Sequence, residues 1–297
     1  STLDTISETS TLATEIDTAY ASSNYTLSNN VENLILTGTA VAGAGSSLNN
    51  LLIGNNGNNT LKGNDGNDIL DGSLGIDTLE GGLGNDTYII DNTPDVITEL
   101  ANTNSGLDTA KSFVTYTLAN NVENLVLLGN TDLKGTGNVL ANLVTGNSGN
   151  NELKGSSGDD TINGGAGNDT INGGSANDRL IGGLGADKFS YNSGIAFSGA
   201  DFGSDLIVDF SRTEGDKIVL GKTTFGLTSA VGNSFSVNNE FASVTTDNLA
   251  KGSAARIVYS SETGNIFYND NGSIIGGESI LTEVPTSLIA SDFAIEL

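Results

Sequence analysis

Along two stretches of this chain a single large apolar side chain returns every nine residues. In 54–91 these positions are Leu61, Leu70, Leu79 and Tyr88; in 146–191 they are Leu153, Ile162, Ile171, Leu180 and Phe189. The residues between them are mostly Gly, Asn, Asp, Ser and Thr. A period of nine fits neither a helix nor a long alternating strand. It fits a turn followed by a very short strand, repeated. One inward side chain per short strand is what a thin solenoid buries.

The polar positions share the period. Glycine opens each frame at Gly54, Gly63, Gly72 and Gly81, then at Gly146, Gly155, Gly164, Gly173 and Gly182. Five places later stands a carbonyl-bearing side chain: Asn59, Asp68, Asp77 and Asp86, then Asn151, Asp160, Asp169, Asp178 and Asp187. Glycine admits positive φ, so the chain turns sharply without a Cβ clash. Two nonapeptides, one per side, complete a coil, and stacked coils lie about 4.8 Å apart. Asp68 is then expected over Asp86, Asp160 over Asp178, and Asp169 over Asp187. Two bare carboxylates about 5 Å apart repel by roughly 3 kcal/mol at an effective dielectric near 20. A column of them therefore calls for cations. Carboxylates and turn carbonyls are hard oxygen donors, which favour calcium over a transition metal.

The frame resembles the G-G-x-G-x-D-x-U-x nonapeptide of the RTX (repeats-in-toxin) family, a calcium-binding parallel β-helix repeat. The best copies are Gly81–Ile89 and Gly164–Asn172. The expected fold is all-β: a right-handed parallel β-roll over about 1–191, then a C-terminal β-rich capping region. About four to six calcium ions are expected between turns, held mainly by Asp68, Asp77, Asp86, Asp160, Asp169, Asp178 and Asp187. Carbonyls such as those of Gly63, Gly81, Gly164 and Gly182 would complete the shells. Asn59 and Asn151 replace the aspartate, and Ala176 replaces a turn glycine; those rungs should bind weakly or stay empty. A flexible Gly/Asn linker would need no apolar residue at every ninth position.

A longer repeat surrounds the nonapeptides. YTLSNNVENLILTG (25–38) returns as YTLANNVENLVLLG (116–129). The organisation expected is a first unit over 1–91, a second over 92–191 and a cap over 192–297. By this phase residue 1 falls in mid-repeat, so further sequence is expected upstream in a precursor. Val31, Leu34 and Leu36 read as strand. The segments 43–55 and 135–147 read as longer turns, with Asn49, Asn50 and Asn142 forming a hydrogen-bonded ladder rather than binding a ligand. After about 192 the period stops. Residues 203–221 read as strand, turn, strand, and 256–268 as a β-hairpin. The tail 285–297 resembles the C-terminal region of serralysin-type proteases and other type I secretion substrates. Asp292-Phe293-Ala294-Ile295 fits their export signal loosely.

Composition narrows the function. The 297 residues carry 36 acids against 11 bases, a net charge of −25. That excludes a nucleic-acid or anionic-membrane surface as the main partner. There is no Cys, His, Trp or Met, so a Ser-His-Asp triad, a Cys-His pair and a His-based zinc site are excluded. Carboxylate chemistry of the glycosidase type survives, but the calcium columns account for nearly all the Asp pairs. No apolar run approaches the roughly 20 residues of a membrane span, and no basic n-region with an apolar h-region is visible in the first residues given.

The expected function is a non-catalytic, secreted, calcium-dependent scaffold of a cell surface, matrix, S-layer or fibre. Expected partners are the type I secretion machinery and further copies joined through the solenoid ends. Two alternatives remain. The chain could serve as the folding module of a larger RTX protease, lipase or alginate epimerase. It could also be a glycan adhesin using Tyr20, Tyr25, Tyr116 and Phe113, although core positions are the simpler reading of those four.

Overall fold

The computed structural model describes residues 16–101, 106–197, 202–235, 240–251, 253–270, 273–274, 281–282 and 287–297. The first fifteen residues and part of the tail lie outside this set. Two units are distinguished, Ser1–Leu128 and Gly129–Leu297.

The first unit is a parallel β-solenoid. One sheet stacks Thr18–Ala21, Asn33–Leu36, Leu51–Ile53, Ile69–Asp71, Thr87–Ile90, Thr109–Ser112 and Asn124–Leu127, every neighbouring pair parallel. The facing sheet stacks Tyr25–Thr26, Ala42–Ala44, Thr60–Asp65, Thr78–Leu83 and Val96–Thr98, again parallel. Successive strands alternate between sheets, so each pair of short strands makes one coil. Register places one apolar side chain of each strand inward. Ala19, Leu34, Leu52, Leu70, Tyr88, Ala110 and Leu125 form a continuous buried column. Main-chain groups between strands pair from coil to coil; Thr87 N–H, for example, donates to the Asp68 carbonyl at 2.8 Å, leaving the turns to side chains.

Tight turns take positive φ at Gly66 (115°), Gly84 (119°) and Gly167 (116°). Ala176 occupies the equivalent turn position and holds φ at 86° despite its Cβ, a conformation that costs an L-residue about 1–2 kcal/mol.

The second unit repeats the architecture. Lys134–Thr136, Glu152–Ser157, Thr170–Ser175 and Lys188–Tyr191 stack in parallel on one side. Leu143–Thr145, Thr161–Ala166 and Arg179–Leu184 stack on the other. The loss of the nine-residue period near 192 does not end the parallel stacking. Asp205–Ile207 pairs with Arg179–Leu184, Lys217–Gly221 with Lys188–Tyr191, and Phe293–Glu296 with Lys217–Gly221, all parallel. These coils carry insertions, which hide them from a search by period. The residues 203–221 are thus two solenoid strands on opposite sheets. The hairpin expected over 256–268 forms, as Ile257–Ser260 paired antiparallel with Ile266–Asp270. The region after 191 therefore mixes parallel and antiparallel pairing. Its insertions pack an aromatic cluster of Phe197, Phe202, Phe225 and Tyr268.

Candidate metal centre

Each aspartate of the nonapeptide frame lies at the turn that precedes a short strand. Its side chain points inward because the backbone there turns into the core, and its two oxygens do different things. Oδ1 accepts the main-chain N–H of the residue one coil earlier. Asn50 N donates to Asp68 (2.6 Å), Asn59 N to Asp77 (2.7 Å), and Asp68 N to Asp86 (2.7 Å). In the second unit Asn142 N donates to Asp160 (2.7 Å), Asn151 N to Asp169 (2.7 Å), Asp160 N to Asp178 (2.9 Å) and Asp169 N to Asp187 (2.8 Å). The stacking expected for Asp68 with Asp86, Asp160 with Asp178 and Asp169 with Asp187 is thereby present.

Oδ2 has no protein partner in Asp68, Asp77, Asp86, Asp160, Asp169, Asp178 and Asp187. These side chains are at most 2% exposed. A buried acceptor left unpaired is costly, and a buried carboxylate more so. Burial accordingly pushes Asp68, Asp77, Asp169, Asp178 and Asp187 up to about 6, and Asp86 and Asp160 to about 7. The main-chain N–H on Oδ1 opposes the rise, and neighbouring carboxylates add to it. Without a cation these groups gain protons near neutrality; a cation would hold them ionised.

The opening glycines make room for this. A Cβ on Gly63 would fall within 2.6 Å of both Asp68 Oδ2 and the Gly81 carbonyl oxygen. A Cβ on Gly164 would fall within 2.5 Å of both Asp169 Oδ2 and the Gly182 carbonyl. Aspartate and the next coil's carbonyl can converge only over glycine. Of the four carbonyls expected as ligands, those of Gly81 and Gly182 stand beside aspartates. Those of Gly63 and Gly164 stand beside Asn50 and Asn151.

The asparagine rungs are self-sufficient. Asn59 Oδ1 accepts Asn55 N at 2.7 Å, and its Nδ2 donates to the Ala40 carbonyl at 3.0 Å. Asn151 Oδ1 accepts Asn147 N at 2.8 Å, and its Nδ2 donates to Asn147 Oδ1 at 3.0 Å. An amide supplies both donor and acceptor, so these rungs are satisfied by protein partners alone.

The columns extend beyond the nonapeptides. Asp77 N donates to Asp95 (3.0 Å), Asp86 N to Asp108 (2.7 Å), Asp178 N to Asp205 (3.0 Å) and Asp187 N to Asp216 (2.9 Å). The last three lie 22, 27 and 29 residues downstream of their partners rather than 18, so the period does not reveal them. A second, exposed ladder runs through the preceding residue. Asn67 N donates to Asn49 Oδ1, Asn85 N to Asn67 Oδ1, Asn168 N to Asn150 Oδ1 and Ala186 N to Asn168 Oδ1, at 2.7–2.8 Å. Among the proposed aromatic platform, Tyr116 is buried, whereas Tyr20 and Phe113 are 70% and 51% exposed and are not core; each sits on or beside a strand whose inward positions are taken by alanine or serine.

A profile of the RTX calcium-binding nonapeptide repeat matches residues 44–79, 53–88, 136–171, 145–180, 154–189 and 167–195. Both blocks are RTX calcium-binding repeats. The matches begin at residues 44 and 136, one frame before those opened by Gly54 and Gly146. The segments read as longer turns are thus RTX frames too, with Asn50 and Asn142 in place of aspartate. No curated protein matches the chain. The RTX blocks bring the donor set calcium requires, hard oxygens from carboxylate and carbonyl, and their orphaned, buried Oδ2 atoms fit it.

Proposed function

We propose that this chain is a secreted, non-catalytic scaffold whose RTX blocks fold on extracellular calcium. The observation that carries the reading is the row of buried aspartates, each with one oxygen capped by the previous coil and the other unpaired. Where calcium is scarce the columns oppose coiling. At roughly 10⁻⁴–10⁻³ M calcium outside the cell, binding free energy becomes folding free energy. About four to six ions are proposed, between stacked turns. RTX proteins are typically secreted, and among the described residues no helix is long and apolar enough to cross a membrane. Export through the type I machinery and assembly of copies through unpaired end strands complete the proposal.

Electron microscopy and circular dichroism of the purified chain, with calcium and after chelation, test it. Filaments or sheets that disperse as β-structure is lost are expected. Unchanged spectra after chelation would overturn the calcium dependence. A dispersed monomer in saturating calcium would instead favour a folding module of a larger RTX enzyme.

A further inference from the structure

At the rung opened by Gly81 the pattern changes. In the coil before it, the oxygen approaching Asp68 over Gly63 is the main-chain carbonyl of Gly81. One coil later the register pairs Thr98 with Glu80, so the residue facing Gly81 is Glu99. Here the chain brings a carboxylate where the earlier rung brings a carbonyl.

Three side-chain oxygens converge over Gly81. A Cβ there would have Asp86 Oδ2, Glu99 Oε1 and the Tyr88 hydroxyl all within 2.5 Å. Asp108 joins them from the coil above, and one oxygen each of Asp86, Glu99 and Asp108 lie within 4.8 Å of one another. That separation suits two oxygens on opposite sides of one calcium ion, with calcium–oxygen distances of about 2.4 Å. The second oxygen of each acid is already engaged. Asp86 Oδ1 accepts Asp68 N, Asp108 Oδ1 accepts Asp86 N, and Glu99 Oε2 accepts Leu100 N at 3.0 Å. Asp86 Oδ2, Asp108 Oδ2 and Glu99 Oε1 are buried with no partner.

Tyr88 is an independent observation. It occupies an inward apolar position of the frame, where the other frames of its block carry leucine. Its ring is fully buried, and its hydroxyl also lacks a partner. A phenol in the core normally finds a hydrogen bond. This one crosses the core to the same point as the carboxylates.

We infer that Asp86, Glu99 and Asp108, with the Tyr88 hydroxyl, form a distinct three-carboxylate site for one divalent cation of calcium size. Its ligand set differs from the array rungs in being made of side chains. It lies where the coil lengthens to 22 residues between Asp86 and Asp108, so it closes the first array. Higher ligand charge gives tighter binding, so this site should fill first in a calcium titration.

The test uses the full chain, with terbium as luminescent probe and calcium in calorimetry. The chain has no Trp, so excitation above the phenylalanine band sensitises terbium through tyrosine alone. Tyr88→Phe is expected to remove the sensitised emission that saturates first and to weaken that site, while the later-filling sites bind as before. Glu99→Gln is expected to weaken the tightest calcium site by about tenfold or more while the weaker array sites still bind. Circular dichroism in saturating calcium checks that each variant folds. If Glu99→Gln fails to fold, Tyr88→Phe still decides. Unchanged early emission in Tyr88→Phe overturns the proposal. So does an unaltered calcium isotherm in folded Glu99→Gln, the result expected if the cluster merely shares a proton. Absence of calcium binding in the unsubstituted chain would instead strike at the calcium reading of the whole array.

Discussion

The main-chain N–H of Asp169 donates to Oδ1 of Asp187 at 2.8 Å, eighteen residues further along the chain. The same carboxylate's Oδ2 is buried and unpaired. One oxygen thus fixes the stacking of coils, and the other stays available for a cation. The structural and ion-binding roles of each aspartate are divided between its two oxygens.

Asp169→Asn separates those roles. The amide oxygen can keep the bond to Asn151 N, and, as at Asn59, the nitrogen can donate to a main-chain carbonyl of the coil before. The variant should fold in calcium but bind fewer ions and lose calcium-induced stabilisation. Calorimetric stoichiometry and melting with and without chelator measure both.

Gly63→Ala places a methyl where Asp68 Oδ2 and the Gly81 carbonyl converge. One of the obstructing atoms is backbone and cannot rotate away. Overpacking of this kind costs about 1–3 kcal/mol, and the ion is lost as well. Thermal unfolding in calcium should show the cost, and the calcium midpoint should rise.

Stability should depend on pH with opposite signs in the two states. Burial raises Asp68, Asp169 and Asp187 to about 6 and Asp86 and Asp160 to about 7, above the ordinary carboxylate value. The folded, calcium-free chain therefore binds more protons than the unfolded one between about pH 4 and 7, and its stability falls as pH rises through that window. Calcium competes with protons for these oxygens, so the loaded chain should gain stability over the same window. Chelated protein should recover β-structure when moved from pH 8 to pH 5, read by circular dichroism.

Ala176→Gly should stabilise the second unit. Ala176 holds φ at 86°, where glycine is at ease. After the entropy glycine loses on folding, the net gain is about 0.5–1 kcal/mol, measurable as a higher melting temperature.

Asp292 ties the C-terminal coil to Arg212, whose Nε donates at 2.6 Å and whose terminal nitrogen donates at 2.5 Å. Burial pushes this carboxyl up, but the Arg212 bonds and the Ile289 N–H outweigh it and hold it below the ordinary value. Its stabilisation is present at neutral pH and fades as pH falls below about 4. Asp292→Asn should cost about 1–3 kcal/mol. Amide exchange at Phe293–Glu296, whose Phe293 and Ile295 are buried, should accelerate.

Local and periodic features follow from residue order. The nine-residue return of Leu61, Leu70 and Leu79 gave short strands with one inward side chain, and glycine five places before aspartate gave the turns. Two such frames make one coil, so Asp160 has to stand under Asp178. Features that depend on position in the stack rather than distance along the chain emerge only in the folded coils. Asp108, Asp205 and Asp216 join the columns through coils of other lengths, because an insertion can loop outward without disturbing strand register. Glu99 keeps the regular spacing of two frames from Gly81, but its approach to Asp86 there shows only in the fold. Pairing Val96–Thr98 with Thr78–Leu83 fixes which residue faces Gly81, and residue type fixes the rest: a glycine there would have offered a carbonyl, whereas glutamate sends a carboxylate into the core beside the Tyr88 hydroxyl.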